Sequence, residues 1–267
     1  MKRLFVLHTL IYFIAIQLLA EADYTVFPVS VPHIGKHYSA SDAVYSLSED
    51  VFLTATYTNN FFLPQVGLSK LELVYPSLKF NTSASLSYFG YKDYWVLNSN
   101  IGFSKFFKPY ISIGVSAFFS TYRFSLTSKT LFTGGADISI CIFPVKNFCI
   151  GLYAENITFS PIVSNGNIYR LPVSLRLGFS YYVKNNVSIS IEGAKELKEP
   201  FSICVGVEYL PVKQFLLRIS TSYQTTASFL FGVGLRLNGF LIDFDAYYNL
   251  GNGLGCKASI GFYKHRK

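Results

Sequence analysis

Apolar and polar side chains alternate along the second half of the chain, most regularly between residues 171 and 262. From Val173 to Tyr181 the odd positions are apolar, and small or polar residues such as Ser174 and Gly178 stand between them. The same odd phase returns in residues 201–209 and 229–237. Because successive side chains of a strand point to opposite faces, this period of two predicts half-buried β-strands and not helices.

The alternation predicts about fourteen strands, an even number, as in single-chain bacterial barrels. They span residues 51–57, 68–75, 78–89, 94–106, 110–122, 131–143, 148–158, 171–183, 187–194, 201–210, 215–223, 229–237, 240–248 and 255–263. Most are roughly 8–13 residues long, which is enough for a tilted strand to cross a bilayer.

The connections between these strands are short and long in turn. Tight connections at 76–77, 107–109, 144–147, 184–186, 211–214 and 238–239 alternate with mostly longer ones, including 58–67, 123–130, 159–170 and 249–254. Outer-membrane barrels have short periplasmic turns and longer external loops. The rhythm therefore predicts an up-and-down barrel with both chain termini on the periplasmic side.

Two turns test the register of this arrangement. Asn238-Gly239 is a strong signal for a two-residue hairpin, which pairs Leu237 with Phe240 and moves the apolar face to even positions. The next strand follows this phase. The three-residue loop at 184–186 preserves the odd phase into residues 187–194. Register and hydrophobic face agree at both turns.

Composition favours a membrane protein. The 267 residues are 51% hydrophobic and 14% charged, whereas roughly 25% of the residues of a soluble domain are charged. Past the N-terminal stretch, no apolar run approaches the roughly 18 residues of a spanning helix. The predicted fold class is all-β, a transmembrane antiparallel up-and-down β-barrel with a short N-terminal plug. A soluble β-sandwich or lipocalin-like barrel is the alternative.

The N-terminus predicts export. Residues 1–22 combine a basic start, an apolar stretch and a small-x-small site at 20–22, as in a secretory signal peptide. Residues 23–50 lack sustained periodicity and are expected to form a plug in the lumen or a periplasmic leader. The barrel is predicted over residues 51–263, followed by a basic tail at 264–267.

The face opposite the apolar one carries charges of both signs. In a membrane barrel this face lines the lumen, so we predict a luminal charge network; a soluble barrel would instead expose it to solvent. Its members are Arg176, Glu192, Glu208, Arg218, Arg236, Asp243 and Asp245, with Asp137, Glu155 and Lys257 in the same phase. Across the tight turns, Glu208 is expected opposite Arg218, and Arg236 diagonal to Asp243.

Signals for catalysis or metal binding are weak. The four cysteines match no zinc spacing, although Cys141 and Cys149 share the inward phase on neighbouring strands, where a disulfide is sterically conceivable. No predicted strand carries a histidine, so a lipid hydrolase would lack its general base. We expect no enzyme activity, no cofactor and no metal. The net charge of +8 fits solvated rims or acidic lipid headgroups, and export argues against nucleic acid.

Residues 171–181, LPVSLRLGFSY, resemble a strand motif of the fatty-acid-transporter-like outer-membrane barrels. The stretches GVEY at 206–209, LRI at 217–219, FGVGL at 231–235 and IDFDAY at 242–247 resemble later strands of that group, which includes the PorV and PorQ proteins of type IX secretion. The resemblance covers residues 51–262. It implies a fourteen-stranded barrel with an N-terminal plug, whose relatives pass hydrophobic molecules or dock secreted and surface proteins.

The sequence thus favours a non-enzymatic subunit or docking partner of a cell-surface or secretion assembly. Its expected partners are outer-membrane lipid and other outer-membrane or periplasmic proteins. The first alternative is a channel for the uptake of hydrophobic small molecules such as fatty acids. The second is a secreted soluble lipid-binding barrel. Short external loops and luminal charges favour the partner role over a wide pore.

Overall fold

The computed structural model describes residues 27–33, 41–77, 79–124, 129–164, 167–183, 186–197 and 199–265. The predicted signal peptide at 1–22 lies outside the described residues, as do the first residues of the predicted plug or leader and the last two of the basic tail. In the described part of the chain, no helix is long and apolar enough to cross a membrane.

Strands make up most of the described chain. They are β1 (Asp50–Asn59), β2 (Gly67–Tyr75), β3 (Asn81–Tyr91), β4 (Tyr94–Phe107), β5 (Ile111–Phe124), β6 (Lys129–Val145), β7 (Phe148–Glu155), β8 (Pro161–Ser164), β9 (Asn167–Arg170), β10 (Ser174–Val183), β11 (Val187–Glu196), β12 (Ser202–Val212), β13 (Phe215–Tyr223), β14 (Ala227–Leu237), β15 (Phe240–Asn249) and β16 (Gly253–His265). Among the described residues, a short helix, α1 (Asp42–Tyr45), precedes β1, and a 3₁₀ turn spans Pro64–Val66.

Fourteen of these strands form one closed antiparallel barrel. Each strand pairs with its neighbours in chain order, except that β7 pairs with β10, and β16 closes on β1 over the whole length of Asp50–Asn59. Closure pairs every barrel strand on both sides, which leaves no open sheet edge. The predicted up-and-down barrel is confirmed.

Local turn chemistry sets the register. Gly239 has a φ of 89°, a conformation that glycine adopts without strain, and the hairpin pairs Leu237 with Phe240 as expected. Val183 pairs with Val187 across the loop at 184–186. A bulge between Tyr209 and Val212 accommodates the next turn. The phase of the wall therefore follows the predicted pattern.

The outer face of the wall is apolar and the inner face is polar. Along β10, for example, Leu175 and Tyr181 are 52% and 49% exposed, whereas Ser180 between them is 1% exposed. Buried serines continue around the inner face at Ser188 and Ser190. Such a distribution is the inverse of a soluble protein and requires lipid around the cylinder.

The predicted loop at 159–170 contains a hairpin that the alternation does not show. Strands β8 and β9 pair with each other from Pro161 with Arg170 to Ser164 with Asn167, apart from the barrel sheet. Ile162 enters a buried cluster with Phe89, Tyr94, Val96, Tyr122 and Phe124. The hairpin and this cluster, together called the apolar cap, lie at the end of the barrel remote from the chain termini. We call this the distal end, and the opposite one the terminal end.

Residues 27–33 and 41–48, here called the inner segment, pack against the inner face. Val31, Ala43 and Val44 form a buried cluster with Cys141 and Cys149 of the wall. Gly151 permits this approach, because a Cβ there would overlap the carbonyl oxygen of Ser30.

Candidate functional site

Arg218 is the centre of a luminal ion cluster. Its guanidinium is 1% exposed and binds two carboxylates of β15: Nη1 lies 3.1 Å from Asp243 Oδ1, and Nη2 lies 2.8 Å from Asp245 Oδ1. Nε also donates to Asp245 Oδ1 at 3.2 Å. Gly232 and Gly234 of the intervening strand leave room for both carboxylates, because a Cβ at either would overlap them.

Glu208 lies directly opposite Arg218 in the register of β12 and β13, as the sequence predicts. Its side chain is fully buried, and Oε2 accepts a hydrogen bond from Ser188 Oγ at 3.3 Å. A carboxylate in such a position needs charge-assisted partners, because burying an ion alone is costly. The cluster thus joins strands β11, β12, β13 and β15.

A second cluster joins the wall to the inner segment. Arg176 Nη1 lies 3.4 Å from Glu192 Oε1, and its Nε lies 3.9 Å from Glu155 Oε2. The other oxygen of Glu192 accepts backbone hydrogen bonds from Val29 at 2.9 Å and Ser30 at 2.6 Å. Glu192 is 2% exposed, so these bonds form away from water.

The predicted network is therefore two clusters and one remaining side chain. Arg218, Asp243, Asp245 and Glu208 lie together, as do Arg176 and Glu192. Arg236 takes its predicted place diagonal to Asp243, since Gly234 pairs with Asp243 and Arg236 with Leu241. The ion pair of Asp243, however, is formed with Arg218.

Helix α1 fixes the other half of the inner segment. Ala43 donates its amide hydrogen to Ser139 Oγ at 2.8 Å, and Asn81 Nδ2 donates to the carbonyl oxygens of Tyr45 and Ser48 at 2.8 and 2.9 Å. Ser83 donates to the Asp42 carboxyl group. Burial raises the pKa of Asp42, and hydrogen bonds from the hydroxyl groups of Ser83 and Ser116 oppose this shift.

A chamber lies in the lumen between the inner segment and the apolar cap. Its volume is about 270 Å³. Val29, Asp42 and Tyr45 contribute to the side nearest the inner segment, and Leu68 and Tyr122 to the side nearest the cap. Arg176 and Glu155 reach its wall, so one of the two charge clusters faces this space.

Lys70 and Glu72 also line the chamber, and their charged groups lie 3.5 Å apart. Neither was predicted from the sequence as a luminal charge. They alternate with Leu71 and Leu73, so the argument that located Arg176 would have placed them inside as well. Asp42 was missed for a different reason. It precedes the barrel, and no strand phase applies to it.

The described residues hold no group of three or more His, Cys, Asp or Glu side chains suited to a metal ion. Cys141 and Cys149 are free thiols and fully buried in one cluster, so the pairing left open by the sequence is not formed in this structure. Cys256 pairs with Ala246 and lies on the outward face of the wall.

No family model and no curated protein sequence matches the chain. Solved structures do match. The toluene transporter TodX of Pseudomonas putida aligns with a TM-score of 0.62 and 11% identity over 85% of this chain and 92% of that chain. A FadL homologue of Pseudomonas aeruginosa aligns with a TM-score of 0.62 and 9% identity over 90% of this chain and 95% of that chain. The fold is that of a FadL-type barrel.

A FadL-type barrel with an apolar exterior belongs in a membrane. A closed barrel satisfies every strand hydrogen bond internally, and its apolar band is matched by hydrocarbon. Barrels of this class reside in the outer membrane. The chain is therefore an outer-membrane protein, and the soluble alternatives are set aside.

Proposed function

We propose that this protein is an outer-membrane channel for the uptake of small molecules, held closed by its inner segment. The observation that carries the proposal is the chamber of about 270 Å³ in the lumen, whose lining includes Val29, Asp42 and Tyr45 of the inner segment. A luminal chamber with a packed segment on one side suits a gated path, in which solute enters past the cap and leaves when the inner segment moves. No catalytic step is part of the proposal.

The fold supports this proposal, since one of the structures that it resembles is that of a toluene transporter. The apolar cap would offer a first contact for solutes with hydrophobic parts, in line with the uptake alternative of the sequence analysis. The loop rhythm orients the barrel with the terminal end in the periplasm. The inner segment would then act as the predicted plug and close the periplasmic side.

The inner segment can be locked to test the proposal. Ser46 Oγ of the inner segment lies 2.5 Å from Ser112 Oγ of β5, a side-chain contact that suits a disulfide. In Ser46→Cys/Ser112→Cys, oxidation would tie the inner segment to β5, and Ser46→Cys alone is the matched control. We expect proteoliposomes with the double variant to lose uptake of small solutes on oxidation and to regain it on reduction, while the control stays constant.

Two results would count against a gated channel. Uptake that persists in the oxidised double variant, with the cross-link verified by mass spectrometry, would show that the inner segment is no gate. Proteoliposomes that admit neither polar nor hydrophobic solutes, in the reduced or the oxidised state, would remove the channel function altogether.

A docking role is the second candidate, as the sequence analysis favoured. The supporting observation is the exposed side of the hairpin formed by β8 and β9, where Val163 and Ile168 pair with each other and are 57% and 65% exposed. Phe62 and Leu63 add exposed apolar surface in the loop after β1. Native copurification from the outer membrane, compared between wild type and Val163→Ser/Ile168→Ser, tests this. A partner retained equally by both would exclude the hairpin as the docking surface.

A further inference from the structure

The chamber differs in chemistry from the apolar cap above it. Polar side chains from three adjacent strands cover one side: Ser85 and Ser87 of β3, Asn98 and Asn100 of β4, and Ser120 of β5. Their registers interlock, since Ser87 pairs with Asn98 and Asn98 with Ser120. The result is one continuous patch of hydroxyl and amide groups, called the polar patch below.

One member of the polar patch points to a ligand. The Oδ1 atom of Asn98 is buried, lines the chamber and has no hydrogen-bond partner among the described residues. Buried polar atoms are nearly always satisfied. A donor group on a solute in the chamber would supply the missing bond.

The remaining wall adds acceptors and an aromatic surface. Five of the chamber-lining side chains are carboxyl groups and two are cations. Both cations form ion pairs within this wall, Lys70 with Glu72 and Arg176 with Glu155. Phe118, Tyr122 and Tyr153 add aromatic rings to the lining, and Val29, Leu68, Ala84, Leu171 and Pro172 add aliphatic surface. Carboxyl groups therefore outnumber cations, beside apolar groups that can contact the C–H face of a sugar.

We propose that the chamber binds a small polyhydroxylated solute of monosaccharide size, uncharged or carrying an amine, and not a hydrocarbon. Hydroxyl and amine groups would donate hydrogen bonds to Asn98 and to the carboxylates of the chamber wall. A hydrocarbon would displace water from these groups without replacing its hydrogen bonds. The volume of about 270 Å³ lies at the small end of ligand pockets, which limits the solute to roughly one sugar ring. This inference rests on the proposed uptake function, because solute must be able to reach the chamber.

Solutes of contrasting chemistry separate the possibilities. Glucose, glucosamine, gluconate and toluene would be titrated against the full-length protein in detergent, with binding followed calorimetrically. We expect glucose and glucosamine to bind at least about tenfold more tightly than gluconate and toluene. Toluene binding without sugar binding overturns the inference, and so does equal binding of all four.

Variants of the polar patch locate the binding. Asn98→Leu and Asn100→Leu keep the side-chain shape but remove the amide, and we expect each to weaken glucosamine binding by about tenfold. Ser99→Val changes the same strand on its outward face and should leave binding unaltered. Heat-modifiable migration on gels verifies that each variant forms a barrel. Unchanged binding in both folded asparagine variants would overturn the inference.

Transport is measured separately, by uptake of the same solutes into proteoliposomes. Sugar binding without uptake of any solute would leave the chamber assignment standing and remove the channel function. Toluene uptake without sugar binding would leave the channel standing and remove the assignment. The failure of one proposal is thus distinguishable from the failure of the other.

Discussion

The Glu192 carboxylate lies 2.6 Å from the amide nitrogen of Ser30 and accepts its hydrogen bond inside the barrel. It also accepts from Val29 at 2.9 Å, while its second oxygen faces Arg176. One side chain of the wall therefore holds both an arginine and the backbone of the inner segment. Hydrogen bonds to a charged group are each worth about 1.5–3 kcal/mol.

Glu192→Ala is expected to release residues 27–33 from the wall. The variant loses both charge-assisted bonds to the inner segment, so the amides of Val29 and Ser30 should exchange with solvent at least about tenfold faster. Hydrogen exchange with mass spectrometry measures this. Glu155→Gln is the matched control, because Glu155 also faces Arg176, whereas the amides of Val29 and Ser30 donate to Glu192. Equal exchange in wild type and Glu192→Ala would refute the role assigned to Glu192.

Arg218→Met should destabilise the whole barrel. It leaves Asp243, Asp245 and Glu208 buried without the central cation, and breaking such a pair costs about 3–5 kcal/mol. Urea unfolding in lipid vesicles measures the free energy of unfolding, and the fluorescence of the single tryptophan, Trp95, reports the transition. Lys213→Met on an exposed turn should shift it by less than about 0.5 kcal/mol. A loss for Arg218→Met no larger than for Lys213→Met would contradict the prediction.

Gly151→Ala should displace the inner segment while leaving the strands paired. The added methyl group would overlap the carbonyl of Ser30. Cys141 and Cys149, fully buried in the wild type, should then become reactive to a maleimide. Gly134→Ala, on the outward face of β6, is the control and should leave both thiols protected. Protection retained in Gly151→Ala would mean that the segment tolerates the methyl group.

Acidification should loosen residues 27–33 through His33. Burial lowers the pKa of His33 from its ordinary 6.5, against the raising effects of Glu208, the Pro28 carbonyl and Glu192, while Arg218 lowers it further. Below about pH 6.5 the free segment takes up a proton that the docked segment does not, so docking weakens as the pH falls. Protease sensitivity of residues 27–33 between pH 8 and 5 measures this, and His33→Asn should flatten the profile. A wild-type profile as flat as that of His33→Asn would disprove it.

Asp42 titrates with the opposite sign. Burial raises the pKa of Asp42 above its ordinary value of 3.8. The contribution of Asp42 to docking is therefore complete below about pH 3.8, and it is lost as the pH rises through the raised pKa. Asp42→Asn should therefore strengthen docking of residues 41–48 at neutral pH relative to the wild type. Hydrogen exchange of the Ala43 amide, which bonds to Ser139, reports this. Faster exchange in the variant than in the wild type would show that the carboxylate is needed for docking.

The amino-acid sequence by itself determined the wall of this protein. Strand alternation and turn residues act over a few positions, so they fix which side chains face lipid and which oppose each other, as Glu208 and Arg218 do. The luminal phase of all seven predicted charges follows from the same local rule. The hairpin formed by β8 and β9 was not predicted, because its four-residue strands are too short to show a period-two alternation.

Only the tertiary structure decided what the lumen contains. Val29 and Glu192 are 163 positions apart in the chain, and no local pattern connects them. The inner segment owes its place to glycines and acceptors contributed by many strands, which become neighbours only when the cylinder closes. Alternation assigns a residue to a face, but contacts across the lumen depend on the curvature and closure of the whole sheet.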